Sequence, residues 1–150
     1  MALDWNWKKA ELNRQNAEFL GKAARLAYDD ESGIAKTLRS WKMEPIEFFD
    51  SKGTQAYLAG NKETCILSFR GTQPDVIRDW LTDLNGHQVN GPVGKVHEGF
   101  LCGLHYIWLD VWNTLQKKRG MRSLWITGHS LGGALAVLAT AKLRFEKAQP

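Results

Sequence analysis

Ser130 lies in Gly128-His129-Ser130-Leu131-Gly132, directly after the apolar run Ser123-Leu124-Trp125-Ile126-Thr127. A small-residue helix pattern follows, Gly132-Gly133-Ala134-Leu135-Ala136-Val137-Leu138-Ala139. A serine in G-x-S-x-G between a strand and a helix has the form of a nucleophile elbow, in which the hydroxyl attacks an acyl carbon. Glycines flank it because the backbone turns tightly and the strand and helix approach closely. The turn lifts the hydroxyl out of the sheet and sets it at a helix N-terminus, where N–H groups and the helix dipole favour developing negative charge. Three residues at about 7% each give G-x-S-x-G by chance in about one such chain in twenty. The strand and helix around the pentapeptide therefore carry the signal. The alternative is a glycine-rich turn with an idle serine.

A serine nucleophile needs a base. All four histidines, His87, His97, His105 and His129, precede Ser130, and the twenty residues after it contain one acid, Glu146, and no histidine. Glu146 falls on the helix after the elbow, about 24 Å away at 1.5 Å per residue, too far to orient a base beside Ser130. His129 cannot turn back on Ser130 while its own backbone forms the elbow. His97 reads as a buried, hydrogen-bonded histidine. These residues supply a nucleophile without its base.

The elements that must position Ser130 follow from the hydrophobic patterning. Leu12, Phe19, Leu20, Ala23, Ala24 and Ala27 recur at helical spacing, which predicts a helix from about Lys8 to Tyr28, ended by Asp29-Asp30-Glu31-Ser32-Gly33. Three strand-like runs come next: Pro45-Ile46-Glu47-Phe48-Phe49, Gln55-Ala56-Tyr57-Leu58-Ala59 and Thr64-Cys65-Ile66-Leu67-Ser68-Phe69. Turn residues separate them, so they read as an antiparallel meander. A loop with a helical stretch from Val76 to Leu84 and then glycine-rich coil lead to Val96-His97-Glu98-Gly99-Phe100. The helix that follows carries Leu101, Leu104, Ile107, Trp108, Val111 and Leu115 on one face. Trp108 and Trp112 stand four apart and read as core packing. An apolar strand between two covering helices indicates a parallel segment of an α/β sheet.

Composition narrows the classes. The 150 residues are 43% hydrophobic and 24% charged with a net charge of +4, ordinary for a globular chain of one domain. The basic residues are scattered, so no nucleic-acid partner is expected. Two cysteines, Cys65 in a strand and Cys102 on a helix, make no disulfide framework and read as buried thiols of a reducing compartment. The N-terminus lacks a signal-peptide pattern and no run reaches membrane-spanning length, which together suggest a cytoplasmic protein without a transmembrane segment.

Four segments line up with one family. Phe69-Arg70-Gly71-Thr72, Asp79-Trp80-Leu81-Thr82-Asp83-Leu84, Val96-His97-Glu98-Gly99-Phe100 and Gly128-His129-Ser130-Leu131-Gly132-Gly133 occur in the order and approximate spacing of the fungal-type, class 3 triacylglycerol lipases. The resemblance covers about Ala24 to Glu146 and implies an α/β-hydrolase fold. Residues 1–150 would then be the N-terminal part of one such domain, truncated after the elbow helix, with an N-terminal helix and antiparallel strands leading into a parallel sheet. It implies Ser130 as nucleophile, the Leu131 backbone N–H as one oxyanion donor and Thr72 as the other. In this fold the triad runs serine, acid, histidine along the chain, so acid and histidine would come from beyond Pro150. Residues 73–94 resemble the family's lid, with Val76, Ile77, Trp80, Leu81 and Leu84 as its apolar face and Asp83 as a partner for the Thr72 hydroxyl.

The activity so implied is hydrolysis of carboxylic esters, acylglycerols or other lipid esters, through an acyl-enzyme. The substrate would be met at an oil–water interface, with no cofactor and no metal. A second reading, a lipase-like chain that keeps the elbow but acts as a binding module, shares every one of these motifs.

Overall fold

The computed structural model describes residues 13–44, 46–72, 87–117 and 123–145. Helix α1 (Arg14–Leu26) is capped by Asn13, whose side chain accepts from the Asn16 N–H at 2.9 Å. Its buried stripe includes Phe19, Ala23 and Ala24, as the helical spacing predicts, and also Leu26, which that spacing did not include; Leu12 lies outside the described residues. Helix α2 (Glu31–Ser40) was not anticipated. The polar cluster expected only to end α1 also starts α2, since the Asp30 carboxylate accepts from the Gly33 N–H at 2.7 Å. Ile34 and Leu38, four apart, are the buried residues of α2.

Strands β1 (Ile46–Ser51), β2 (Thr54–Gly60) and β3 (Thr64–Phe69) form the expected antiparallel meander. A short ribbon, β4 (Gln88–Asn90) with β5 (Lys95–His97), replaces the expected coil. Its turn is closed by the Gly91 N–H on the Gly94 carbonyl, and Gly94 takes φ +68°, which suits a residue without Cβ. Helix α3 (Glu98–Lys117), strand β6 (Ser123–Gly128) and helix α4 (Leu131–Phe145) complete the described elements.

The main sheet has the order β1-β2-β3-β6, antiparallel except for the parallel pair β3–β6. Both its faces are covered. Leu58, Cys65, Leu67 and Phe69 pack with Leu104, Ile107, Trp108 and Val111 of α3 and Leu135 and Ala139 of α4. On the other face Tyr57, Ala59 and Ile66 pack with Phe19 and Ala23 of α1 and Ile34 and Leu38 of α2. Every residue of β3 is buried, which is why its sequence is mostly apolar rather than alternating, and its two polar residues, Thr64 and Ser68, are hydrogen-bonded. Strand β6 is half-buried throughout and pairs on one side among the described strands.

Tyr57 and Ser68 join α1 to the sheet, both hydroxyls donating to the Ala23 carbonyl, at 2.8 and 3.1 Å. The Thr127 hydroxyl adds a bond to the Leu20 carbonyl at 3.2 Å. These bonds fix α1 across the C-terminal ends of β3 and β6, where the site lies.

Candidate active site

Strand β6 ends at Gly128 and α4 begins at Leu131, leaving two residues to reverse the chain. Ser130 makes the reversal at φ +56° with its residue exposed. An L-residue in this left-handed region costs roughly 1–2 kcal/mol, so the surroundings must hold it there. Two glycines do so. A Cβ on Gly128 would strike the Gly132 carbonyl, and one on Gly132 would strike the Phe69 carbonyl. The turn is closed by the Gly132 N–H on His129 O at 3.0 Å and the Gly133 N–H on Ser130 O at 2.9 Å. The Leu131 N–H, first of α4, has no preceding helical carbonyl and takes none of these turn bonds.

The parallel register pairs Phe69 with Gly128. Thr72 stands three residues past the first and Leu131 three past the second, so the two segments leave the sheet side by side at one edge. Gly71 fits where no Cβ could, against the His129 carbonyl and the Tyr28 hydroxyl. Arg70 is held twice by Gln55, its N–H on the backbone carbonyl at 2.9 Å and Nη1 on Oε1 at 2.7 Å.

Tyr28 is the site residue that sequence reasoning missed. Its hydroxyl is hydrogen-bonded to His129 Nδ1 at 3.0 Å, and the Arg70 guanidinium lies over its ring, 5.9 Å from the centroid. No local spacing links residues 28, 70 and 129; only the assembled sheet does. Ala24, Tyr28, Thr72, Thr127, Gly128 and His129 together line a groove of about 530 Å³.

His97 is half-buried rather than buried, and it is hydrogen-bonded as expected. Its Nδ1 accepts from the Gly99 N–H at 3.1 Å, and the ring packs 4.8 Å from that of Phe100. The side chain caps α3. Trp108 belongs to the core and Trp112 packs against it. Cys65 is buried, but Cys102 is exposed on α3, contrary to the expectation for it. Trp80 and Asp83, with residues 73–86 of the expected lid, lie outside the described residues. Among the described residues no group of three or more His, Cys, Asp or Glu could hold a metal ion, and no helix is long and apolar enough to cross a membrane.

A mixed sheet covered by helices on both faces, with a serine at positive φ between a parallel strand and its helix, defines an α/β-hydrolase. Residues 66–150 match the family Lipase (class 3), and the chain belongs to that family. It is 27% identical to triacylglycerol lipase OBL1 of Ricinus communis over 90% of its own length and 36% of that relative's. Among solved structures it resembles a triacylglycerol lipase described as having a serine protease triad at its catalytic centre. That match has a TM-score of 0.67 at 24% identity over 91% of this chain and 58% of the other. The lipase of Rhizopus microsporus var. chinensis matches with a TM-score of 0.66 at 26% identity, over 91% of this chain and 54% of the other. The chain thus spans about a third of that curated relative and somewhat over half of the two solved lipases.

Proposed function

We propose that this chain carries the nucleophile and the oxyanion donors of a serine hydrolase acting on carboxylic esters of lipids, acylglycerols among them. The observation that carries the reading is Ser130 at φ +56° on a turn where neither flanking glycine has room for a Cβ. Strain kept by close packing at an exposed hydroxyl is what a displayed nucleophile requires. Ser130 Oγ attacks the ester carbonyl, and the tetrahedral oxyanion is received by the N–H groups of Leu131 and Thr72, each worth about 2.7–4 kcal/mol in such a site. The alcohol then leaves, giving an acyl ester on Ser130 that water hydrolyses. A serine protease triad is described at the catalytic centre of a lipase of similar fold, which supports a serine nucleophile here.

The proton of Ser130 has to go to a base. The ring of His129 is engaged by Tyr28 and that of His97 by the cap of α3, so neither is assigned the task. The acid and the histidine of the triad are assigned to chain outside these 150 residues. Residues 73–94, including Trp80 and Asp83, are proposed as lid and support for Thr72.

Acylation in the presence of imidazole tests the reading. The 150-residue chain, incubated with p-nitrophenyl butyrate and rising imidazole, is expected to accumulate a butyryl group on the Ser130 peptide, read by mass spectrometry. Acid quenching at early times traps the group before the same imidazole supports its hydrolysis, and Ser130→Ala removes it. Equal labelling of other serines, or none on Ser130, would leave the chain as a lipase-like binding module. Fast turnover without imidazole would reveal a base within the 150 residues, with His97 the first to substitute.

A further inference from the structure

We propose that Tyr28 is a positioning residue for the oxyanion site, clamping the end of β3 to the elbow through Arg70 and His129; this rests on the hydrolase reading above. Tyr28 sits in the turn that closes α1, with its own N–H on the Arg25 carbonyl at 3.1 Å. From there one side chain reaches both segments that carry a donor. Its hydroxyl meets His129 Nδ1 at 3.0 Å, and its ring lies under the Arg70 guanidinium at 5.9 Å. Between them the hydroxyl touches the Cα side of Gly71, where a Cβ would collide with it and with the His129 carbonyl.

The leverage comes from sequence position. Arg70 is two residues before Thr72, and His129 is two residues before Leu131. A rotation of either backbone segment would swing its donor away from the oxyanion. Backbone hydrogen bonds within the turn restrain the elbow itself, since Gly132 and Gly133 bond to His129 and Ser130. The seating of Gly132 on the Phe69 carbonyl holds the elbow to the strand end, but none of these turn bonds reaches on to the segment from Arg70 to Thr72. Tyr28 supplies a side-chain link that does, and it uses His129 as a strut.

The imidazole-supported acylation reads this directly. Tyr28→Phe keeps the ring under Arg70 and removes the hydroxyl. Its saturating acylation rate constant is expected to fall about tenfold, the scale of a sub-ångström misplacement, with the half-saturating ester concentration unchanged. His129→Asn keeps a polar amide where Nδ1 stands and restores most of the rate, whereas His129→Leu falls with Tyr28→Phe. The double variant Tyr28→Phe/His129→Leu is expected to be no slower than either single variant, because both cut one link. A merely structural contact would lower thermal stability without separating Asn from Leu at position 129 in the rate.

Wild-type rates in Tyr28→Phe, or additive losses in the double variant, would overturn the clamp. If Tyr28→Phe fails to fold, the comparison of His129→Asn with His129→Leu decides. If the wild-type chain itself takes no acyl group, the hydrolase reading fails instead, and the clamp is then judged from amide NMR shifts. Tyr28→Phe must move the Thr72 and Leu131 amides together, and a change confined to His129 would overturn it.

Discussion

Ser130 concentrates the cost of the site in a single residue. Its left-handed backbone is held by the close seating of Gly128 on Gly132 and of Gly132 on Phe69. That cost predicts a trade. Ser130→Gly, which adopts the same φ without strain, should be more stable than Ser130→Ala by about 1 kcal/mol in urea denaturation, though neither can be acylated. Equal stabilities would mean that the turn relaxes once the hydroxyl is gone. Ser130 was legible in the sequence because its context is local: strand, glycine, serine, glycine, helix. Tyr28 was not, because a hydrogen bond across 101 residues leaves no periodicity behind.

At the scale of elements, the three meander strands and the elbow strand could be read because apolar runs end at turn residues. Helix α2 could not, since its cap, Asp30, lies inside the cluster that also terminates α1. The ribbon β4–β5 was hidden by its glycines, which make its turn but look like coil. What seats α1 on the sheet is the Tyr57–Ala23–Ser68 junction, and it should respond to pH. Burial pushes the Tyr57 phenol well above the usual tyrosine range. The folded state therefore holds that proton after the unfolded state has released it. The corresponding stability is complete below about pH 10 and declines above it, by at most about 1.4 kcal/mol per pH unit. Tyr57→Phe should be about 1 kcal/mol less stable near pH 7, because its hydrogen bond is lost. The difference from wild type should shrink as the pH is raised past 10. A difference that stays constant to pH 11 would contradict the account.

At the scale of the whole molecule, one side of the sheet is open among the described residues. Strand β6 pairs on one side among the described strands, and beside it Ile126, Ala136, Val137, Ala141 and Phe145 line a shallow apolar groove. Val137 is 69% exposed and Phe145 64%, unusual for large apolar residues on one helix. A free strand edge next to apolar surface favours association. The 150-residue chain is expected to sediment as oligomers at micromolar concentration, and Val137→Lys with Phe145→Glu to shift it toward monomer. A wild-type chain that sediments as a monomer throughout would show that β6 and α4 are self-sufficient as they stand.

The central claim is that the end of β3 and the elbow form one oxyanion site around Ser130. It is tested most directly by a crystal structure of the chain phosphonylated on Ser130 with a p-nitrophenyl alkylphosphonate in imidazole buffer. The phosphonyl oxygen stands where the oxyanion of ester attack would be. The account predicts that this oxygen accepts from the Leu131 and Thr72 N–H groups together, each at about 2.7–3.1 Å. A phosphonyl oxygen turned to solvent, or held by Leu131 with Thr72 out of reach, would contradict it.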